Sequence, residues 1–169
     1  GPVAITMPIL DAMQPTDVAA IAAIEARQHV TPWHASSFDD ALRNGWHGRV
    51  LRETDHPGAP VLGYFVAMSA GDDEELLTIT VAPEAEGQGY GRLLLESLLA
   101  EASARGAERL FLEVRQSNVR AMRLYESAGF TIVGMRKNYY ATPADPVLAR
   151  PAGREHAVLM MRLLQARAS

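Results

Sequence analysis

The chain has 169 residues, the length of about one domain, and at that size a chain can bury on the order of 70% of its unfolded surface without a disulfide or metal staple. Apolar residues make up 48% and charged residues 21%, with 13 glycines and 10 prolines, which are globular averages that exclude disorder, collagen-like repeats and coiled coil. Cysteine is absent, excluding thiolate metal sites and cysteine nucleophiles, and 16 basic against 20 acidic residues leave a net charge of −4, which speaks against a broad phosphate-binding surface.

The missing cysteines suit a reducing compartment. No stretch reaches the roughly 18 to 20 apolar residues of a membrane span, and the N-terminal residues lack the basic and apolar regions of a signal peptide. Gly1-Pro2 reads as a cleavage scar. Residues 3–169 are therefore read as a single cytoplasmic, monomeric domain.

Behind Thr16-Asp17, Val18, Ile21 and Ile24 recur every third residue and predict a capped amphipathic first helix. After a break at Thr31-Pro32 a short second helix follows, with Ser36 or Ser37 as its cap and Gly45 as its stop. Residues His47 to Arg52 and Val61 to Ser69 read as antiparallel strands, joined by a polar connection, Thr54 to Pro60, with His-Pro-Gly turn chemistry. A third strand, Leu76 to Val81, precedes the run Gly87-Gln88-Gly89-Tyr90-Gly91. Leu94, Leu95, Leu98 and Ala102 form the stripe of a helix that ends at Gly106. Leu110 to Val114 is a short strand. Asn118 caps the next helix, striped with Ala121, Leu124, Tyr125 and Ala128 and closed by Gly129. Phe130 to Met135 and Ala157 to Leu164 are further strands. Between them, Ala141 to Glu155 holds three prolines and one glycine and predicts a long mobile loop. The order implies an α/β (mixed α+β) domain with a mixed central sheet and helices on both faces.

Chemistry concentrates at a few positions. The glycine run is either a tight strand-to-helix turn or a set of amides aimed at an anion such as pyrophosphate. A P-loop needs a lysine after the last glycine, and Arg92 follows Gly91. A dinucleotide fingerprint needs its third glycine three positions after the second, where Arg92 stands, although Glu113 lies where a ribose-binding acid would sit. Alternation along Leu110 to Val114 puts Phe111 and Glu113 on one face. Glu113 is then either a partly desolvated carboxylate with a pKa raised toward that of a general base, or a strand-end acid paired with Arg115. Tyr125 lies on an apolar helix face, where a tyrosine is more often a core residue with a hydrogen-bonded hydroxyl. His29, His34, His47, His56 and His156 show no ligand spacing, so no metal is expected.

The strand followed by Gly-x-Gly-x-Gly-Arg resembles the acetyl-coenzyme-A loop of the GNAT acetyltransferase superfamily. Gly89 and Gly91 match its motif glycines, while Glu86 stands where Gln or Arg is usual. A carboxylate there weakens pyrophosphate binding unless it points away. Residues 112 to 130, from Leu-Glu-Val-Arg to Ala-Gly-Phe, are similar to one branch, the bacterial ribosomal-protein-alanine N-acetyltransferases of RimI type. His29-Val-Thr-Pro32-Trp33 followed by Phe38, Lys137-Asn138-Tyr139-Tyr140 and the final strand from Glu155 are similar to the same branch. The resemblance covers roughly residues 9 to 164. It implies the GNAT fold and transfer of acetyl from the co-substrate acetyl-CoA to the N-terminal alanine of a basic small-subunit ribosomal protein, the eighteenth. It implies Glu113 as general base, Tyr125 as the acid that protonates the departing thiolate, and Asn118 as a coenzyme contact. Ile79, Thr80, Val81, Gly87, Gln88, Gly89, Tyr90, Gly91 and Arg92 are then coenzyme-binding, and Trp33, Tyr139 and Tyr140 line the peptide. Transfer to a small-molecule amine or another protein, and a non-catalytic coenzyme-A-sensing module, stand as alternatives. No nucleic-acid or membrane partner is expected.

Overall fold

A computed structural model describes residues 7–56 and 58–164. The proposed scar Gly1-Pro2 and the turn residue Pro57 lie outside the described residues. The described elements are β1 (Ile9–Ala12), α1 (Val18–Gln28), α2 (Ala35–Arg43), β2 (His47–Arg52), β3 (Val61–Ala70), β4 (Asp73–Val81), α3 (Tyr90–Ala104), β5 (Arg109–Arg115), α4 (Val119–Ser127), β6 (Thr131–Thr142) and β7 (Gly153–Leu163). Among the described residues, no helix is long and apolar enough to cross a membrane.

The chain divides into two compact units, each assembled from two stretches of sequence. The first runs to Met68 and adds Leu77–Leu98; the second joins Ser69–Leu76 to the chain from Leu99 onward. In the first, β1 pairs with β2 and β2 with β3, all antiparallel, and the strand order continues to β4. Ile21, Phe38, Val50, Tyr64 and Val66 are buried at its centre, with the Phe38 and Tyr64 rings edge to face at 5.8 Å. In the second, β5 pairs in parallel with the N-terminal half of β4, from Asp73↔Arg109 to Leu76↔Leu112, and antiparallel with β7, which pairs antiparallel with β6. The sheet is mixed, as the sequence implies.

Side-chain alternation fixes the faces of β4. Glu74, Leu76, Thr78 and Thr80 are buried and their neighbours half-buried. An acid facing inward needs a partner, and Glu74 has one in Arg105, which grips it with two bonds of 2.7 and 2.9 Å.

The structure departs from the expected elements in four places. Thr16-Asp17 do not cap α1 in the expected way: Pro15–Asp17 form a 3-10 turn begun by Gln14, and the Asp17 carboxylate serves the Gln14 amide and Arg52 instead. His34, not Ser36 or Ser37, stands at the N-cap of α2, so both serines fall inside its first turn. The strand β1, too short to show alternation, was not expected. The segment from Ala141 to Glu155 is not a long loop: β6 and β7 continue through Tyr140↔Glu155, Ala141↔Arg154 and Thr142↔Gly153, and an Asp145↔Arg150 bridge narrows the connection further. The Asp145 carboxylate accepts from the Val147 and Leu148 amides inside that turn.

Gly63 on β3 marks a close approach. A Cβ placed there would lie 2.7 Å from the Thr80 carbonyl oxygen and 2.9 Å from a Leu94 methyl. A backbone atom cannot step aside cheaply, so Gly63→Ala should cost about 1–3 kcal/mol by overpacking. Urea unfolding midpoints with an unchanged m-value check this; wild-type stability would show that β3 and β4 can part freely.

Candidate functional site

In the first unit, the end of α1 and the segments around β4 and the glycine run carry the candidate groups. Gly87 and Gly89 sit at φ +78° and +81°, and a Cβ at either would meet nothing within 4 Å. The run is therefore a left-handed turn with open space before it, where only glycine is unstrained. The Leu93 amide bonds the Gly89 carbonyl at 3.1 Å, which begins α3; the N–H groups ahead of it have no acceptor within the helix. Open space beside the uncommitted N–H groups of a helix start suits an anion. Arg92 turns along the helix to Glu96 at 3.1 Å.

Glu86, the departure from the motif, is engaged by α1. Its Oε1 accepts from Gln28 Nε2 at 2.7 Å, and the same amide group donates to the Val81 carbonyl at 2.7 Å. Thr80 is buried, with its hydroxyl 2.7 Å from His29 Nε2, while Ile79 and Val81 are half-buried. Trp33 lies after α1, its ring 5.3 Å from that of Phe38. The backbone of Trp33 donates at 3.1 Å to Glu25, a carboxylate inside the first unit. Sequence reasoning passed over Glu25, although its place four residues after Ile21 and seven after Val18 puts it on the buried stripe of α1.

In the second unit, Leu110, Leu112 and Val114 of β5 are buried and Phe111, Glu113 and Arg115 half-buried, as the alternation predicts. Glu113 is not paired with Arg115. Its Oε1 takes the Arg136 guanidinium at 2.9 Å, from a side chain 55% exposed. Arg115 instead reaches Glu155 at 3.5 Å and lies over the Tyr140 ring at 4.4 Å. The reason lies in the neighbouring strand: Arg115 registers with Ala157, two residues from Glu155. Burial alone would raise the Glu155 carboxyl, but the Ser117 amide and hydroxyl together with Arg115 overcome it and hold the group below the usual range. Glu75, a further acid on β4 that sequence reasoning passed over, is pushed up by burial and by the charge of Glu113, with Arg136 acting against both.

Tyr139 and Tyr140 pack edge to face with centroids 5.1 Å apart, and Arg136 lies 5.4 Å over the Tyr139 ring. Their placement depends on a bulge. Arg136 registers with Ala157 and Tyr140 with Glu155, so 137–139 bow out opposite His156, whose Nδ1 accepts the Asn138 amide at 2.9 Å. Asn138 adopts φ +51°, a conformation asparagine tolerates better than most residues. Tyr125 on α4 is 7% exposed with its ring against Phe130 at 5.8 Å. Burial, and to a lesser degree Tyr140, push its hydroxyl well above the usual tyrosine range. Asn118 stands at the N-cap of α4, where its Oδ1 accepts from the Ala121 amide at 3.2 Å; that bond leaves the Nδ2 group outside the cap. Glu113, Tyr139 and Tyr140 thus share one neighbourhood through Arg136, and Tyr125 adjoins it through Tyr140.

The acetyltransferase (GNAT) family model matches residues 18–130. The chain is 36% identical to the Escherichia coli [ribosomal protein bS18]-alanine N-acetyltransferase over 154 residues, covering 91% of this chain and 96% of that one. It is 34% identical to the Haemophilus influenzae enzyme of the same name, covering 91% and 97%. Among solved structures, the E. coli ribosomal-protein-S18-alanine N-acetyltransferase superposes with a TM-score of 0.82 at 32% identity, covering 96% of this chain and 97% of that one. The yncA protein of Salmonella typhimurium, solved with its cofactor acetyl-CoA, shares the fold at a TM-score of 0.73 and 20% identity over 96% of each chain.

The cap is open to direct measurement. Asn118→Ala should lower the unfolding free energy by about 1 kcal/mol, and Asn118→Asp by only a few tenths, since aspartate caps as well. Equal losses in the two variants would show that the side chain does something other than cap α4.

Proposed function

We propose, from the premise that this chain belongs to the acetyltransferase (GNAT) family, that it transfers acetyl from acetyl-CoA to the N-terminal alanine amine of the small-subunit ribosomal protein bS18, in the cytoplasm. One observation carries the reading: 34 to 36% identity to enzymes named for that reaction, across 91% of this chain. The open, left-handed glycine turn fits the coenzyme, since a pyrophosphate needs uncommitted amides and no side chain in the way. Gly87, Gln88, Gly89, Tyr90, Gly91 and Arg92 would hold it, with Asn118 as a further contact and the backbone of Ile79, Thr80 and Val81 toward the acetyl group. When bound, acetyl-CoA supplies a thioester that an amine opens by direct displacement, with no cysteine intermediate.

Each catalytic step then falls to a named residue. Glu113 accepts a proton from the peptide ammonium, leaving a lone pair on the α-nitrogen for attack on the carbonyl carbon. As the carbon–sulfur bond breaks, the Tyr125 hydroxyl gives its proton to the departing sulfur; the second proton, lost by the nitrogen as the amide forms, restores the Tyr125 hydroxyl, and Glu113 releases its own proton to solvent. A tyrosine hydroxyl is protonated at neutral pH, as a donor must be, and burial raises the pKa of this one further. A peptide α-amine has a pKa of about 8 and a lysine side chain one of about 10.4, so a single carboxylate suits the former. Trp33, Tyr139 and Tyr140 line the residues behind the alanine, and the net charge of −4 draws a basic peptide.

A peptide panel tests the assignment. An alanine-starting basic peptide with the bS18 sequence should be acetylated at its α-amine, as located by mass spectrometry. The same peptide with a blocked N-terminus and a free lysine should react far more slowly; equal rates would overturn the N-terminal assignment. Glu113→Gln should lower turnover by roughly 10²- to 10⁴-fold, and higher pH should restore part of the loss as more amine is neutral unaided. Loss without any pH recovery would remove Glu113 as the base.

The coenzyme site is tested separately by thermal denaturation. Acetyl-CoA should raise the melting temperature of the wild-type protein by mass action on the folded state. Gly89→Val should lose that rise, because the side chain enters the open space in front of the turn. An undiminished rise in a folded Gly89→Val protein would place the coenzyme elsewhere.

A further inference from the structure

One buried acid takes no part in this chemistry. Glu25 lies on α1 with 2% of its surface exposed, on a stripe otherwise made of Val18, Ile21 and Ile24. An aliphatic side chain would fill such a place at far less cost than a carboxylate, which must be surrounded by donors when taken out of water. Those donors are present. Oε1 accepts from the Tyr64 hydroxyl at 2.7 Å and the Thr78 hydroxyl at 3.0 Å, with the Thr80 hydroxyl at 3.5 Å. His29 Nε2 stands 3.6 Å from the same oxygen. Oε2 accepts from the backbone amide of Trp33 at 3.1 Å.

The two oxygens therefore face different parts of the first unit. Oε1 is fixed to β3 and β4, and Oε2 to the connection between α1 and α2. We infer that Glu25 is a positioning residue for the acceptor peptide: it ties the backbone of Trp33 to the strand that ends in Ile79, Thr80 and Val81. The inference rests on the reading of Trp33 as a peptide wall and of that strand as the thioester-facing segment. The neighbouring turn of α1 acts on the same strand, with Gln28 on the Val81 carbonyl and His29 on the Thr80 hydroxyl. One helix end thus sets the spacing between what grips the peptide and what faces the acetyl group. Burial, and secondarily the charge of Glu25, push the Tyr64 hydroxyl far above the usual range, so that donor stays in place at any working pH.

Glu25→Gln separates the two oxygens. Its amide oxygen can still accept from Tyr64 and Thr78, while its NH2 then faces the Trp33 N–H, donor against donor. Steady-state kinetics with varied peptide and varied acetyl-CoA should show peptide KM raised about tenfold and kcat within about threefold of wild type. The KM for acetyl-CoA should not change. Trp33→Ala should itself raise peptide KM, and adding Glu25→Gln to it should have no further effect on KM, since both act through one contact. A lowered melting temperature with wild-type peptide KM would reduce Glu25 to a structural role and overturn the inference. Should Glu25→Gln not fold, hydrogen exchange at the Trp33 amide of the wild-type protein decides: strong protection supports the tie, and exchange at unprotected rates overturns it. Wild-type protein that acetylates no N-terminal peptide would refute the functional reading itself; wild-type activity with unchanged KM in Glu25→Gln refutes only the positioning role.

Discussion

A carboxyl group inside a protein must be given hydrogen-bond partners, and in the first unit that requirement organises the structure around Glu25. Desolvating such a group costs several kcal/mol, of the order that separates folded from unfolded chains. Each element that supplies a donor is thereby held at a definite place. Tyr64 brings β3, Thr78 brings β4, and the Trp33 amide brings the chain that leaves α1. The apolar cluster around Ile21, Phe38 and Tyr64 provides most of the driving force but has little directional content. Directional bonds to one oxygen pair select a single arrangement of those elements.

The second unit meets the same requirement at several points rather than one. Glu74 is closed off by a two-bond grip from Arg105, and Glu155 by Ser117 and Arg115. Around Glu113 the compensation is looser: one exposed guanidinium serves that carboxylate, and Glu75 beside it feels both charges without an ion pair of its own in the described structure. Glu74 and Glu155 are each held by more than one donor group, while the candidate catalytic base Glu113 has its ion pair with one half-exposed arginine. Incomplete compensation is common where chemistry must move a proton.

The parts legible in the sequence were those set by local pattern. The stripes of α3 and α4 stand out because apolar residues recur at helical spacing, and Asn118 caps α4 because asparagine there satisfies an orphan amide two or three residues on. Alternation along β5 gave the faces of Glu113 and Phe111 correctly. What escaped was set by distant residues. Nothing near Glu113 in sequence says that Arg136 will reach it, or that Glu155 will claim Arg115, because both follow from how β6 and β7 register with β5. The extended ends of β6 and β7 were hidden by prolines at 143, 146 and 151; the prolines mark the turn, and cross-strand pairing carries the strands almost up to it. Glu25 was legible in position but not in meaning. The stripe marks it as inward-facing, and only the fold reveals which donors wait there.

The division of the chain bears on the order in which the protein can form during synthesis. All residues of the first unit have been made once Leu98 is complete, so its antiparallel strands and the Glu25 network need nothing that comes later. The Ser69–Leu76 stretch is different: it emerges early but belongs to the second unit, and its β5 partners Arg109–Leu112 follow more than thirty residues behind it. Closing β5 then waits again, for Ala157–Leu163 at the far end of the chain. At roughly 5–20 residues per second, one strand edge stays unpaired for seconds while the ribosome works. Asp73 and Glu74 lie on that edge, and acids on an exposed strand edge discourage it from pairing with a neighbouring nascent chain.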